Sequence, residues 1–285
     1  MQYCGRHFTA SEIELIRELL ALSPPISRYR LSREVCARLN WRRADGKLKD
    51  MSCRVALLRM QTDALFTLPP PRNAKPVAYR TYPDIESAVL PPTTAPSADL
   101  ARLGVDLVGD KRNSLLWNAY IESHHYLGHQ LMPGAQLRYF IRSAGQIVAL
   151  LGFAASAWKT KPRDAFIGWT SQQRRRNLHL VVNNARFLIL PWINCRNLAS
   201  RALALISRRL PEDWHARYAY RPVLLETFVE KPRFAGTCYK AANWQYLGDT
   251  QGRGKLDTLH RSAEPLKSIW VYPLVRDFRR HLCNE

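Results

Sequence analysis

The segment AQLRYFIRSAGQIVALLGFAASAW, residues 135–158, restricts the fold more than any other part of the chain. It holds two apolar runs rich in β-branched and aromatic residues, joined by the short link SAGQ. Such runs predict strands, and a link of a few residues that contains Gly predicts a β-hairpin. Because the two strands of a hairpin are antiparallel, the chain must build an antiparallel sheet around this segment.

Apolar segments on either side of the hairpin extend this pattern over residues 101–285. We predict the element order β-α-β-β-(α)-β-α-β-α-β, in which the helix in parentheses is a basic helix or loop. Outside the hairpin, strands are predicted at LARLGVDLVG, Arg186 to Ile193, RPVLLETFV and KSIWVYPLV, and helices at KRNSLLWNAYIESHHYLG, NLASRALALISRRLPEDW and GTCYKAANW. This order predicts an α+β domain built on one mixed, largely antiparallel sheet.

Residues 1–72 show a helical period instead. Apolar residues recur at helical spacing in TASEIELIRELLA, SRYRLSREVCARLNW and KDMSCRVALLRMQTD, and ALFTLPPP predicts a short strand that ends at prolines. Three short helices followed by a strand favour a winged-helix-like DNA-binding domain. Its candidate DNA contacts are Arg42, Arg43, Arg54 and Arg59. A helical bundle used only for packing fits the pattern nearly as well.

A proline-rich stretch lies between the two patterns. Residues 73–100 contain NAKPV and LPPTTAPSAD and show no sustained period, which predicts a linker or an extended arm. We therefore expect a helical domain over residues 1–72, a linker over residues 73–100 and the mixed domain over residues 101–285.

The composition is that of a globular protein, with 46% hydrophobic and 23% charged residues in a chain of 285. No long run of apolar residues is present, so no membrane partner is expected, and the polar start MQYCGRHFTASE does not resemble a signal peptide. Six scattered cysteines without a Cys-x-x-Cys pair are typical of free thiols in a reducing compartment. These features predict a cytoplasmic protein.

The net charge of +20 is the strongest indication of function. Residues 156–217 alone carry 12 basic and 3 acidic residues. Such an excess most often serves a polyanion, because each neutralised phosphate releases a counterion. DNA is therefore the predicted partner, and a merely basic, soluble surface is the less favoured alternative.

The segment AWKTKPRDAFIGWTSQQRRRN concentrates basic residues around the aromatic residues Trp158, Phe166 and Trp169. Basic side chains can hold phosphates while aromatic rings stack on bases. A solvated run of charges beside core aromatics is the alternative. The predicted DNA contacts here are Lys159, Lys161, Arg163, Arg174, Arg175 and Arg176.

The candidates for catalysis are His124, His125, Glu226 and Tyr239. His124 and His125 lie in ESHHYLGHQ, where the i, i+4 spacing of His125 and His129 predicts that these two share one helix face. No spacing provides the further ligands of a zinc site, so no metal site is predicted. Glu226 in LETFVE could help to hold Mg²⁺, which is expected only if the chain is a nuclease. The favoured interpretation is that Glu226 and the other scattered carboxylates are structural and form ion pairs with arginines.

The C-terminal domain resembles the DruA family, a component of Druantia anti-phage defence systems whose relatives also occur beside mobile elements. The resemblance is carried by ESHHYLG, LRYFI, LLGFAASAW, RDAFIGW, NNARFLILPW, NLAS, ETFVE and RFAGTCYKAANWQYLGDTQGRG, and it covers most of residues 101–275. It implies a prokaryotic protein connected with foreign or mobile DNA, with other defence-system or mobile-element proteins as partners.

The same domain resembles the GNAT acyltransferase fold more weakly. The stretch ILPWINCRNLASRALALI matches the strand, loop and helix that bind acetyl-CoA in that fold, but Asn197 replaces the first glycine of the loop motif and Ala199 the second. Acetyl-CoA is therefore not an expected cofactor, and an acyltransferase is kept only as an alternative function. Tyr239 aligns with the tyrosine that is the general acid of the fold. Two other interpretations of Tyr239 are open. It could attack a phosphodiester as a nucleophile, or it could be a half-buried tyrosine whose hydroxyl group is hydrogen-bonded.

Overall fold

The computed structural model describes residues 1–22, 26–71, 102–252 and 265–284. The chain splits into two compact units, Met1–Arg80 and Thr81–Glu285. The stretch predicted as a linker, residues 73–100, lies outside the described residues, and its linker role stays a prediction.

A small hairpin and three helices make up the N-terminal unit. Strands β1 (Gln2–Tyr3) and β2 (Arg6–His7) pair antiparallel, and helices α1 (Ala10–Leu20), α2 (Arg28–Arg38) and α3 (Asp50–Thr62) follow. All three helices lie where the period of the sequence places them.

Local sequence explains where the first two helices begin. The Thr9 side chain accepts a hydrogen bond from the Glu12 N–H, and the Glu12 carboxylate accepts one from the Thr9 N–H, which forms a capping box at α1. Ser27 caps α2 in the simpler way, by accepting from the Arg30 N–H. The apolar faces of the helices then share one core, which includes Ile16, Leu31, Val35, Cys53 and Met60.

The strand expected after α3 is not found. Residues 64–71, ALFTLPPP, are all described, and none of them belongs to a strand. The Leu68 N–H donates instead to the side-chain oxygen of Gln61 on α3, and the prolines that follow have no N–H to offer a neighbouring strand. The strand of the winged-helix prediction is therefore wrong at this position.

The C-terminal unit is an α+β fold built on a seven-stranded sheet with the order β3-β4-β5-β6-β7-β9-β8. Every neighbouring pair is antiparallel except β6 and β7, so the predicted fold class, with its largely antiparallel sheet, is confirmed. The strands are β3 (Gly104–Leu107), β4 (Leu137–Ser143), β5 (Gln146–Ala155), β6 (Val181–Ile189), β7 (Leu224–Glu230), β8 (Gln245–Asp249) and β9 (Lys267–Pro273). The helices are α4 (Lys111–His124), α5 (Lys161–Ile167), α6 (Ser171–Asn177), α7 (Leu198–Tyr218), α8 (Thr237–Ala241) and α9 (Phe278–Leu282).

The hairpin from which the fold was predicted is present as β4 and β5. Ala144 and Gly145 form its two-residue turn with φ values of 48° and 80°. Positive φ at both central residues gives a turn whose twist matches that of the strands, and Gly145 adopts it without strain. The strands on both sides of the turn are almost entirely buried.

Several elements of the C-terminal unit differ from the sequence prediction. Strand β6 spans Val181–Ile189 rather than Arg186 to Ile193, since Pro191 ends the run and Val181 and Val182 begin it. Helices α5 and α9 and the edge strand β8 were not predicted, because each has seven residues or fewer and shows too little periodicity.

The parallel pair β6 and β7 is joined only over part of its length. Their pairing runs from Val181 opposite Leu224 to Asn183 opposite Glu226. Beyond these residues the two strands diverge, so the second half of β6 is paired on one side only, with β5.

In the described ranges, no helix is long and apolar enough to cross a membrane.

Candidate functional site

A cleft of about 1780 Å³ opens where β6 and β7 diverge. Residues of both strands line it, together with the chain after α4, the start of α5 and the N-terminus of α8. Two carboxylates, those of Asp164 and Asp249, also line the cleft, and both already pair with cations. The cationic residues in its lining are Lys159, Lys161, Arg174, Arg186, Arg233 and Lys267. The cleft therefore has a positive lining suited to an anion.

Tyr239 lies against this cleft on α8, but its hydroxyl group is enclosed. The residue is 6% exposed, and its hydroxyl donates to Asn184 Oδ1 at 2.8 Å and lies 3.5 Å from Thr227 Oγ1. Burial raises the pKa of Tyr239 above its ordinary value, because the phenolate would lose its hydration. The arrangement fits a hydrogen-bonded structural tyrosine better than an ionised nucleophile.

The start of α8 is fixed by Gly236. This residue has φ of 71°, and a Cβ at its position would lie 2.8 Å from the ring of Trp270. Only glycine satisfies both conditions, since it accepts the left-handed region and leaves room for the ring. The packing of Gly236 on Trp270 therefore sets where Tyr239 meets β6.

The histidine pair is placed differently from the prediction. Helix α4 ends at His124, and His125 is extended, with φ of −98° and ψ of 132°. His125 and His129 thus do not share a helix face, and that part of the prediction is wrong. Both His124 and His125 do line the cleft.

His125 is held as a neutral imidazole. Its Nδ1 lies 3.2 Å from the N–H of Leu127 and accepts a hydrogen bond from it, so the ring proton belongs on Nε2. Burial, together with the charge of Arg186, lowers the pKa of His125 to about 4. At neutral pH this ring is a weak base and contributes no positive charge. Across the described ranges, no group of three or more His, Cys, Asp or Glu side chains is arranged to hold a metal ion.

Glu226 belongs to a buried ion pair. It is fully buried, and its Oε2 accepts from Nη1 of Arg163 at 2.8 Å while its Oε1 accepts from the N–H of Ala157 at 2.9 Å. Asp164 completes the group by accepting from Arg163 and Arg174. This matches the favoured reading of these carboxylates as structural partners of arginines.

Two of the predicted DNA contacts are consequently not available to DNA. Arg163 is fully buried between Glu226 and Asp164, and Arg174 is 9% exposed beside Asp164. Arg163 joins α5 to Glu226 on β7, and Arg174 joins α6 to Asp164 on α5. For these two residues the prediction of a surface contact is wrong.

The other four cations of this segment are exposed. Among the residues that the structure describes, none of them forms an ion pair or donates a hydrogen bond to a carboxylate. The ring of Trp158, 51% exposed, lies beside them with the guanidinium of Arg174 5.6 Å from its centre. We call these four residues the exposed cation set: Lys159, Lys161, Arg175 and Arg176.

The predicted arginines of the N-terminal unit are mostly engaged locally. Arg43 pairs with Asp45 at 2.6 Å, and Arg54 pairs with Asp50 at 3.2 Å. Arg42 donates to the carbonyl of Gly46 and to the side chain of Asn40 in the turn between α2 and α3. Arg59 is exposed on α3.

Several residues that the fold brings to the cleft were not predicted from the sequence. One is an arginine on β6, and the others are two aromatic residues and a second arginine. The only sequence signal for the first was a lone arginine inside the apolar run NNARFLIL. These residues are Arg186, Tyr126, Arg233 and Phe234.

The loop before α7 contains an asparagine in a left-handed backbone conformation. Asn197 is the N-cap of α7 with φ of 62°, a left-handed value that asparagine tolerates better than other non-glycine residues. Its side chain makes no capping hydrogen bond with the helix. A Cβ and an amide therefore occupy space at this turn that a glycine would leave free.

Comparisons with known proteins identify one family and several distantly similar solved structures. The sequence matches the family model for Druantia protein DruA over residues 86–262, and no curated protein matches it.

Among solved structures, an N-acetyltransferase from Staphylococcus aureus Mu50 is 10% identical, with a TM-score of 0.38 over 61% of this chain and 98% of that one. A probable acetyltransferase from Staphylococcus epidermidis ATCC 12228 is 7% identical, with a TM-score of 0.40 over 61% of this chain and 100% of its own. The Microcin C7 self immunity acetyltransferase MccE is 8% identical, with a TM-score of 0.31 over 48% of this chain, which spans 61% of that protein. Similarities at this level do not bear on activity or substrate.

Proposed function

This chain belongs to the DruA family, and on that premise we propose that it is a DNA-binding protein of anti-phage defence that contacts DNA mainly through the C-terminal unit. Such a protein would act in the cytoplasm, beside other proteins of its defence system or mobile element. The family gives the setting, and the DNA contact is inferred from the charge of the surface.

The exposed cation set carries this proposal. Its four side chains, on and around α5 and α6, face solvent without a carboxylate partner among the described residues. An unpaired cation neutralises a DNA phosphate and so releases the counterion condensed on it, whereas a cation that already pairs with a carboxylate adds little net charge to that exchange. Arg280 on α9 is also exposed and adds to the charge beside α6, where Arg176 and Arg280 line one shallow groove.

The N-terminal unit has a smaller part in the proposal. Two of its four candidate arginines are already neutralised by aspartates in the same turn or helix. Arg42 and Arg59 remain as candidate phosphate contacts. We therefore assign this unit a supporting role in DNA binding rather than the principal one.

A salt titration of DNA binding tests the proposal. The full chain is compared with a variant in which Lys159, Lys161, Arg175 and Arg176 are all changed to Gln. We expect the slope of log K against log salt to fall by about 3 to 4, and the affinity near physiological salt to fall at least about 100-fold, since each lost contact removes about 0.9 from the slope.

A matched variant controls for total charge. It changes four cations that do have carboxylate partners in the C-terminal unit, namely the half-buried Arg142 and the exposed Arg209, Arg221 and Lys231. Both variants lose the same formal charge, but the control should keep most of its salt slope. An equal loss in both variants, or a wild-type slope near zero, would refute the assigned surface.

A further inference from the structure

Arg186 on β6 is a cation that lines the cleft and pairs with no carboxylate of the described residues. The side chain is half-buried, and its Nη1 donates to the carbonyl of the preceding Ala185 at 2.7 Å. Its Nε is buried and has no hydrogen-bond partner. Within the described part of the chain, no carboxylate forms an ion pair with it.

Partial burial of a guanidinium without a carboxylate partner is energetically unfavourable. Burial lowers the pKa of Arg186, because the charged form loses hydration. Arg163 shows how the same fold treats a structural arginine, since that guanidinium lies between the carboxylates of Glu226 and Asp164. An incoming anion would provide Arg186 with the partner that the described residues do not.

Aromatic rings lie beside this cation at the mouth of the cleft. The rings of His125 and Tyr126 stack at 4.8 Å, and those of Tyr126 and Phe234 meet at 5.5 Å. The guanidinium of Arg233 lies 4.8 Å from the centre of the Tyr126 ring and 3.8 Å from Glu230. Tyr126 is 37% and Phe234 is 48% exposed, so both rings offer surface to a ligand.

The edge of β6 adds polar groups to the same space. Pairing between β6 and β7 ends at Asn183, and the residues from Asn184 to Ile189 line the cleft. The side-chain oxygen of Asn183 is buried without a hydrogen-bond partner. A buried acceptor of this kind can be satisfied by the amino or imino group of a nucleobase.

We propose that this cleft holds one unpaired nucleotide of a DNA strand, with its phosphate on Arg186 and its base against Tyr126 and Phe234. A positive groove beside exposed aromatic rings is the arrangement that binds single strands, because every base has a face that can stack. The inference rests on the proposed DNA-binding function and adds to it a preference for unpaired over paired DNA. The exposed cation set would hold the flanking backbone.

The test compares Arg186→Met with Arg138→Met in the full chain. Both arginines are half-buried, but Arg138 is satisfied, since it donates to Asn118 and Ser114 at 2.9 Å and lies 5.5 Å from the ring centre of Trp117. The probes are a labelled thymidine oligonucleotide of about 12 nucleotides and a duplex of the same length. Thermal unfolding of each variant without DNA is measured alongside binding.

We expect Arg186→Met to weaken single-strand binding about tenfold or more and to change duplex binding less than about twofold. Its melting temperature without DNA should equal or exceed that of the wild type, because an uncompensated charge is removed. Arg138→Met should lower the melting temperature and leave both affinities unchanged. Phe234→Ser, at an exposed position, should weaken single-strand binding without affecting folding.

The outcomes separate this inference from the function on which it rests. Wild-type single-strand affinity in both Arg186→Met and Phe234→Ser would overturn the nucleotide site, while salt-dependent DNA binding through the exposed cation set would still stand. Equal losses for single-strand and duplex DNA would also overturn it, since Arg186 would then be an ordinary phosphate contact. Absence of any salt-dependent DNA binding by the wild type would instead refute the proposed function itself.

Discussion

Two surfaces of this chain carry the same sequence signal, clustered basic residues, yet their charges are placed in different surroundings. In the N-terminal unit, Arg43 and Arg54 pair with aspartates a few residues away. In the C-terminal unit, the exposed cation set has no carboxylate partner among the described residues. Formal charge therefore overstates the charge that the first surface can offer to a polyanion.

The outer face of α3 strengthens this contrast. Met51, Val55 and Leu58 recur at helical spacing and are 62%, 41% and 45% exposed. A helix that presents an apolar stripe between its arginines differs from α6, whose sequence SQQRRRN has no apolar residue. The two regions are thus distinct kinds of surface, although both are rich in arginine.

The largest effect in the comparison is expected from Arg163, a fully buried arginine of the basic segment. Arg163→Met leaves Glu226 buried without its partner, and removal of one member of a buried pair costs about 3 to 5 kcal/mol. Urea denaturation should show this loss in the C-terminal unit. Arg175→Met, a surface change in the same segment, should shift stability by no more than about 0.5 kcal/mol.

The loss in Arg163→Met should depend on pH. Burial raises the pKa of Glu226, and the charge of Arg163 opposes that rise. Without Arg163 the folded-state pKa rises further above the ordinary value of 4.5, so folding takes up a proton between those two values. The variant should therefore be least deficient near pH 4.5 and lose stability as the pH rises. Full stability at neutral pH together with weak DNA binding would show that Arg163 is a DNA contact after all.

An intermediate effect is expected from the N-terminal arginines. When Arg42, Arg43, Arg54 and Arg59 are all changed to Gln, the affinity should fall less than about tenfold and the salt slope by about 1 to 2, because two of the four charges are already neutralised. The same salt titration measures this. A loss as large as that of the exposed cation set would place the principal DNA contact on the N-terminal unit.

The sequence predicted those features of the fold that depend on neighbours along the chain. The hairpin of β4 and β5, the helix α7 and the first three helices follow from local period and turn residues. The partner of Arg163 could not be predicted in this way, because Glu226 lies 63 residues further on and reaches it only through sheet pairing. The position of Arg186 likewise became informative only when β6 and β7 were seen to diverge.

The histidine cluster shows the same limit within a single segment. The spacing of His125 and His129 predicted a shared helix face, but α4 ends one residue before His125. Helix ends are set by which backbone groups find other partners, and here the N–H of His129 donates to Glu122. Period alone does not contain that contact.

The smallest effect is expected from Tyr239, which lines the cleft and belongs to neither charged surface. Tyr239→Phe keeps the ring contacts with Trp244 and Phe187 and removes one hydrogen bond to Asn184, a change worth about 0.5 to 1.5 kcal/mol. DNA affinity should stay within about twofold, because neither a cation nor an exposed ring is altered. Stability, DNA binding and phage protection are measured together in the wild type and the variant. If protection is lost while folding and DNA affinity persist, the hydroxyl takes part in chemistry, and the structural assignment of Tyr239 fails even though the contrast between the two charged surfaces remains.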